Sequence, residues 1–292
     1  VNRVLGTDPS LILGSLRSNG SVWLINPSGI VFGANAQVNV GGLVASTLDV
    51  REGLQGGRLV LGRAANGAGE LVANGSITAP KGTVVLAAPL LTLGPQASIQ
   101  ANRIALAAAT SVTVDVEGDG LVLFNISNDG TLDTRLSMLG STTAAAGGSV
   151  EARAAARAGF ADTVLNLEGV VQARSIGSRQ GRIVIDGGPV GTTRVAGRVD
   201  ASAPDAGERG GQVQVLGQHV LLDTGASIDA SGQAGGGEVL IGGDWQGSGP
   251  LPQSTTVTLQ AGASIDASAT QQGDGGKVVL WSDVHNASSV TQ

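Results

Sequence analysis

The sequence predicts an all-β chain wound as a parallel β-helix, a solenoid of roughly 11 coils of about 22 or more residues. Three observations predict it. A phrase recurs: Gly225-Ala-Ser-Ile-Asp-Ala-Ser231 returns as Gly262-Ala-Ser-Ile-Asp-Ala-Ser268, with looser copies at 75–79, 97–101, 169–173 and 197–202. A second short apolar run follows each copy, usually after glycine. The composition suits thin packed layers: 47 of 292 residues are Gly, aromatics are 2%, Tyr is absent, and Val, Leu, Ile and Ala carry the apolar content.

Each coil reads as three strands. Strand one is anchored at Ile77, Ile99, Val171, Val199, Ile228 and Ile265, and strand two at Val84, Ile104, Ile183, Val213, Val239 and Val278. Strand three precedes strand one, as in Leu91-Thr-Leu93, Val220-Leu-Leu222 and Val257-Thr-Leu259. Alternation sends Ile228 and Ala230 inward and Asp229 and Ser231 outward. From strand one to strand two the anchors lie 5 to 14 residues apart. From strand two to the next strand one they lie 15 or 16 apart, with a single gap of 26. One corner therefore absorbs the insertions, at 203–209, 232–235 and 269–274. The long gap is a separate excursion at 244–254, carrying Trp245, Pro250 and Pro252.

Two stretches fit the repeat poorly. Residues 115–147 lack anchors, although Leu121-Val-Leu-Phe124 has strand character. The Ala/Arg-rich stretch 151–161 reads either as a short helix or as a further strand, because Gly147-Gly-Ser-Val150 matches the opening of strand two.

Composition narrows the function classes. Net charge is −6, and the 17 basic residues form no cluster of the kind that grips nucleic acid. No apolar run approaches the ~18 residues of a membrane-spanning helix. Cysteine is absent, so no disulfide framework staples the fold.

One stretch carries more information than a repeat. In Asn19-Gly-Ser-Val-Trp-Leu-Ile-Asn-Pro-Ser-Gly-Ile-Val-Phe-Gly33, an apolar run enters the turn Asn26-Pro27-Ser28-Gly29 and a second leaves it at Ile30. Asn first, Pro second and Gly fourth are type I turn preferences. Asn26 reads as a local cap whose loss costs about 1 kcal/mol. Upstream lies Ser10-x-Ile12-x-Gly14-x-Leu16, and downstream Ala36-x-Val38-Asn39-Val40-Gly41-Gly42-Leu43-Val44-Ala45-Ser46-Thr47. This series resembles the secretion domain of two-partner secretion exoproteins, the filamentous-haemagglutinin type. That family's Asn-Pro-Asn-Gly-Ile segment is matched at Asn26, Pro27, Gly29 and Ile30, with Ser28 replacing the second Asn. Ser28 is expected to keep a local side-chain-to-backbone bond.

The resemblance implies a right-handed helix, with residues 1–50 part of the secretion domain and 51–292 continuing the solenoid. The chain then reads as a fragment whose signal sequence and N-terminal cap lie upstream. It further implies export through the periplasm of a Gram-negative bacterium to its surface or the medium. The partner would be an outer-membrane β-barrel transporter that reads residues 26–30. The exported protein would be an adhesin or haemagglutinin contacting a host-cell glycan or protein. The alternative is a β-helix carbohydrate-active enzyme, a polysaccharide lyase or hydrolase.

Few other residues suggest chemistry. Asp200, Asp229 and Asp266 occupy one slot on successive coils, as a calcium ladder or as a solvated face. Gly273-Asp-Gly-Gly276 is similar to one calcium-binding turn but stands alone. His219 and His285 lack an obvious catalytic partner set, and neighbouring Ser282, Asp283 and His285 point to alternating faces, so they build no triad. Asn-x-Ser sequons lie at Asn19, Asn74, Asn125 and Asn286. No Gly-rich phosphate loop opens a helix, and no cofactor or metal is expected. Trp245 either projects as a contact for sugar or protein, or folds back over a sheet face.

Overall fold

The computed structural model describes residues 2–55, 58–64, 67, 69–115, 125–159, 162–283, 285 and 288–292. Each strand pairs in parallel with its counterpart in the next coil. In strand one, Ile77, Ile99, Thr142, Val171, Val199, Ile228 and Ile265 are successive register partners. In strand two the column is Val84, Ile104, Val150, Ile183, Val213, Val239 and Val278. Strands one and two merge into a 16-stranded sheet, and strand three forms a 10-stranded sheet. The merger arises because Ser76–Ala88, Ser98–Ala108 and Ser141–Ala154 run through the bend between them. The inward side chains of all three layers make one core running along the helix axis.

From residue 135 to residue 154 the chain forms an ordinary coil. Arg135–Met138 is strand three, and Ser141–Ala154 supplies strands one and two. The helix reading of 151–161 is therefore corrected: 151–154 is strand, with Val150 in the strand-two column. The strand-one slot holds Thr142, fully buried among aliphatic neighbours, so its polarity hid the anchor. Leu121 to Phe124 lie outside the described residues.

One element departs from the repeat. Asp49–Gln55, Arg58–Gly62, Ser111–Asp115 and Asn125–Ser127 form a four-stranded antiparallel sheet. It packs on the outer face of strand two, enclosing a second core of Val44, Leu59, Leu61, Val85, Ala87, Ala105, Ala107, Val112 and Val114 among others. Strand two is buried on both faces here. Its sequence accordingly loses the alternation and becomes continuous, Val84-Val-Leu-Ala-Ala88 and Ile104-Ala-Leu-Ala-Ala-Ala109.

The glycines before strand two stack in a column. A Cβ on Gly82 would collide with the carbonyl oxygen of Gly41, one on Gly237 with that of Gly211, and one on Gly276 with that of Gly237. The recurring glycine thus leaves room for the neighbouring backbone, as close approach requires. The insertion-bearing corner also stacks, through parallel bridges from Ala203 to Gly232 and from Gly232 to Ala269.

Candidate functional site

The turn at residues 26–30 lies where strand two hands over to strand three, between Ser21–Ile25 and Ile30–Phe32. Gly29 N–H donates to the Asn26 carbonyl at 3.1 Å, closing the β-turn. Asn26 Oδ1 accepts from Ser28 N–H at 2.9 Å, and Gly29 takes φ +130°. This much is the local cap the sequence predicts. Asn26 does more, because its side chain is fully buried. Its Nδ2 donates to the Asp8 carbonyl at 3.0 Å and to Ser10 Oγ at 2.9 Å, and its backbone N–H donates to the Ser46 carbonyl at 2.9 Å. Asn26 ties the preceding coil and the next one to the turn, so the figure of about 1 kcal/mol for a local cap is too small.

The other motif residues divide by exposure. Gly29 and Ile30 are buried, whereas Pro27 and Ser28 are half-buried at the surface. The Ser28 hydroxyl donates to the Gly6 carbonyl at 3.1 Å, a long-range bond rather than the expected local one. Gly69 N–H donates to the Pro27 carbonyl at 3.1 Å, and a Cβ on Gly69 would clash with that oxygen. The turn is therefore clamped on both sides along the helix axis and presents one face, the Pro27 ring and Ser28.

The aspartate column has a local cause. Asp200, Asp229 and Asp266 are register partners, and each Oδ1 accepts the backbone N–H two residues on, from Ser202, Ser231 and Ser268, at 3.0, 3.0 and 2.8 Å. Ile-Asp-Ala-Ser is thus a turn capped by its own aspartate at the strand-one exit. Asp200 corrects the solvated-face reading, since it is fully buried and bonded to Gln172, Arg174, Arg198 and Ser202. Arg198 also reaches Asp229, offsetting the repulsion along the column. Among the described residues, no three of His, Cys, Asp and Glu gather closely enough to hold a metal ion.

Burial alone would raise the Asp200 carboxyl. Hydrogen bonds from Ser202, Gln172 and Arg174 outweigh it and lower the pKa to about 2. The folded value lies below the unfolded value near 3.9, so the stabilisation is present above about pH 4 and is lost as pH falls toward 2. It amounts to about 2–3 kcal/mol. Asp200→Asn is expected to lower the urea midpoint at pH 7 and to lose less than the wild type between pH 4 and 2.5. Parallel pH profiles for the two proteins would refute this.

Among the described residues the other titratable groups form no catalytic set. Burial pushes the Glu151 carboxyl up, against the pull of Arg153 and Arg182, each 3.7 Å away. His219 Nδ1 pairs with Thr256 Oγ1 at 2.8 Å. Ser282 Oγ pairs with Thr291 Oγ1, and only the backbone N–H of His285 meets Asp283. Asn125 of the second core's sheet begins a sequon strand, Asn125–Ser127, while Asn286 lies outside the described residues.

Trp245 opens a single 3-10 turn, Trp245–Gly247, capped by Asp244. It is 56% exposed, which corrects the reading that it folds back over a sheet. The tryptophan that packs against the solenoid backbone here is Trp281, beside Gly243, with its Nε1–H donated to Gln253 Oε1 at 2.9 Å. Gln246 adopts φ 54°, the one non-glycine residue at positive φ among those described.

Residues 1–215 match the TPS secretion domain family. The chain belongs to that family. The match reaches far beyond the motif at 26–30 and takes in the antiparallel sheet and the coil around Thr142. The HMW1 secretion domain from Haemophilus influenzae, a crystal structure, superposes with a TM-score of 0.78 at 30% identity. That likeness covers 95% of this chain and 72% of the other, and confirms the all-β solenoid. Two heme/hemopexin-binding proteins of Haemophilus influenzae, one from strain ATCC 51907 / DSM 11121 / KW20 / Rd, are each 47% identical over 49 residues. These 49 residues are 17% of this chain and 5% of each relative, so the chain spans a small part of the length of those proteins. The family is one of secretion domains rather than of enzymes. Among the described residues no helix is long and apolar enough to cross a membrane.

Proposed function

We propose that this chain is the secretion portion of a large exported protein, carried across a Gram-negative outer membrane by a dedicated β-barrel transporter. Passage is through the periplasm, and the product is surface-bound or released. The observation that carries the reading is the family match across residues 1–215, joined to the clamped turn within it. Asn26, Pro27, Ser28, Gly29 and Ile30 form the feature the transporter reads. Because Asn26, Gly29 and Ile30 are buried, they act by holding Pro27 and Ser28 in a fixed pose. A preorganised face lowers the ordering cost of binding. The exported protein acts as an adhesin or haemagglutinin, and Trp245, exposed on its Asp244-capped turn, is the contact offered to a glycan or protein.

Co-expression with the cognate transporter tests both parts. Ser28→Arg, which adds bulk to the exposed face, is expected to lower the amount exported about tenfold while the purified domain loses only about 0.5 kcal/mol, that of the Ser28 hydroxyl bond. Trp245→Ala is expected to be exported normally and to bind cells less well. Normal export of Ser28→Arg would remove the recognition role, and unchanged cell binding by Trp245→Ala would remove the loop.

A further inference from the structure

Away from the turn, the outer face of strand two holds a groove of ≈ 350 Å³. It is framed by Ser21, Trp23, Thr83, Lys81 and Arg103, over the glycines at 41, 42 and 82. Those glycines let neighbouring coils stack closely here, since a Cβ on Gly41 would meet the Asn19 carbonyl and one on Gly82 the Gly41 carbonyl. The volume falls within the range of small-molecule clefts.

Its chemistry is one-sided. The whole chain carries a charge of −6, yet among the described residues no carboxylate lines the groove and two cations do. Among the described residues neither Lys81 nor Arg103 takes part in an ion pair, whereas most of the arginines elsewhere on the solenoid do. Arg103 Nε is buried without a hydrogen-bond partner. A half-buried indole, Trp23, and the hydroxyls of Ser21 and Thr83 complete the wall. Gly42–Ser46 and the strand at 83–88 are hydrogen-bonded on both sides, so the floor offers no free edge on which a peptide could pair as a strand.

We propose that this groove binds a short acidic saccharide. Its carboxylate or sulfate sits between Lys81 and Arg103, its hydroxyls meet Ser21 and Thr83, and an apolar sugar face lies against Trp23. The site is separate from the turn at 26–30 and does not depend on the export reading.

Calorimetry on the whole chain with four probes tests it: trigalacturonate, a sulfated galactotriose, neutral galactotriose and triglutamate. The two acidic sugars are expected to bind at least about tenfold tighter than the neutral one, and to weaken as salt rises from about 50 to about 300 mM. Which of the two binds tighter identifies carboxylated or sulfated glycans as the source. The double substitution Lys81→Met and Arg103→Gln should weaken acidic-sugar binding at least about tenfold with an unchanged melting temperature, since neither side chain holds an ion pair. Should that variant fold poorly, Thr83→Glu places a carboxylate in the groove and should abolish binding. Equal affinity for the neutral sugar, equal or tighter binding of triglutamate, or unaltered binding by these variants would overturn the proposal.

Discussion

Asn26→Ala is expected to destabilise the domain by about 3 kcal/mol and to abolish its export. The magnitude follows from burial. An exposed turn cap is worth about 1 kcal/mol, but an unmet polar partner inside a protein costs about 1–3 kcal/mol. Removing the Asn26 amide leaves Ser28 N–H without its acceptor and the Asp8 carbonyl and Ser10 Oγ without their shared donor. Asn26→Asp keeps the acceptor for Ser28 N–H but sets a buried carboxylate against the Asp8 carbonyl, and at pH 7 should cost at least as much as Ala. Ser28→Ala loses one bond at the surface and should cost about 0.5 kcal/mol. Urea midpoints and export, measured together, distinguish a turn read by the transporter from one that only holds coils together. Asn26→Ala that stays within about 1 kcal/mol of the wild type would mean that water or a neighbour replaces the amide. An export loss confined to variants that also unfold would make the turn purely structural.

The repeat was legible because a parallel solenoid writes one inward residue per strand at a fixed offset. Ile228 and Ile265, or Val239 and Val278, announce their register partnership in the sequence alone. The single corner of variable length was equally readable, since Ala203, Gly232 and Ala269 stack where the spacings vary. Coils went unseen where chemistry overrode the pattern. Thr142 fills an isoleucine slot, its Oγ1 buried without a partner, and so the strand-one phrase disappears between Ile99 and Val171. The antiparallel sheet went unseen because its strands belong to no repeat. Its signal was present all the same: the unbroken apolar runs at 84–88 and 104–109 require cover on both faces, which a bare solenoid does not supply. At the turn, local propensity revealed the bend and the Asn26 cap, but not the bonds to Asp8 and Ser10. Those depend on which coil lies beneath, and a single turn does not encode it. Likewise the spacing of Asp200 and Asp229 was visible, while the burial of Asp200 between Arg174 and Arg198 was not.

The glycines before strand two should prove less replaceable than those in ordinary turns, and Gly237→Ala is expected to destabilise the domain by about 3 kcal/mol or more. The Cβ would meet the carbonyl oxygen of Gly211, and that oxygen cannot swing aside because it accepts the Glu238 N–H at 2.9 Å. The Gly237 N–H is itself held by the Ala230 carbonyl at 2.8 Å. Relief would mean opening the spacing between two coils, stretching bonds along both strands that meet at that corner. The next coil repeats the constraint, because Gly276 faces the Gly237 carbonyl in the same way and Lys277 N–H donates to that carbonyl at 2.9 Å. Gly225 is the control. It sits at φ +85°, but a Cβ there would meet nothing within 4 Å, so Gly225→Ala carries only left-handed backbone strain, about 1 kcal/mol. The order of the two effects is the test, read from urea midpoints of the purified chain. It separates glycine chosen for its own dihedral freedom from glycine chosen because another backbone occupies the space of its side chain. Equal losses would show that the coils part easily and that the column of glycines reflects turn preference alone. A much larger loss at Gly237 would tie the repeated Gly-Gly of the sequence to the tight stacking on which a solenoid with few aromatics depends for its stability.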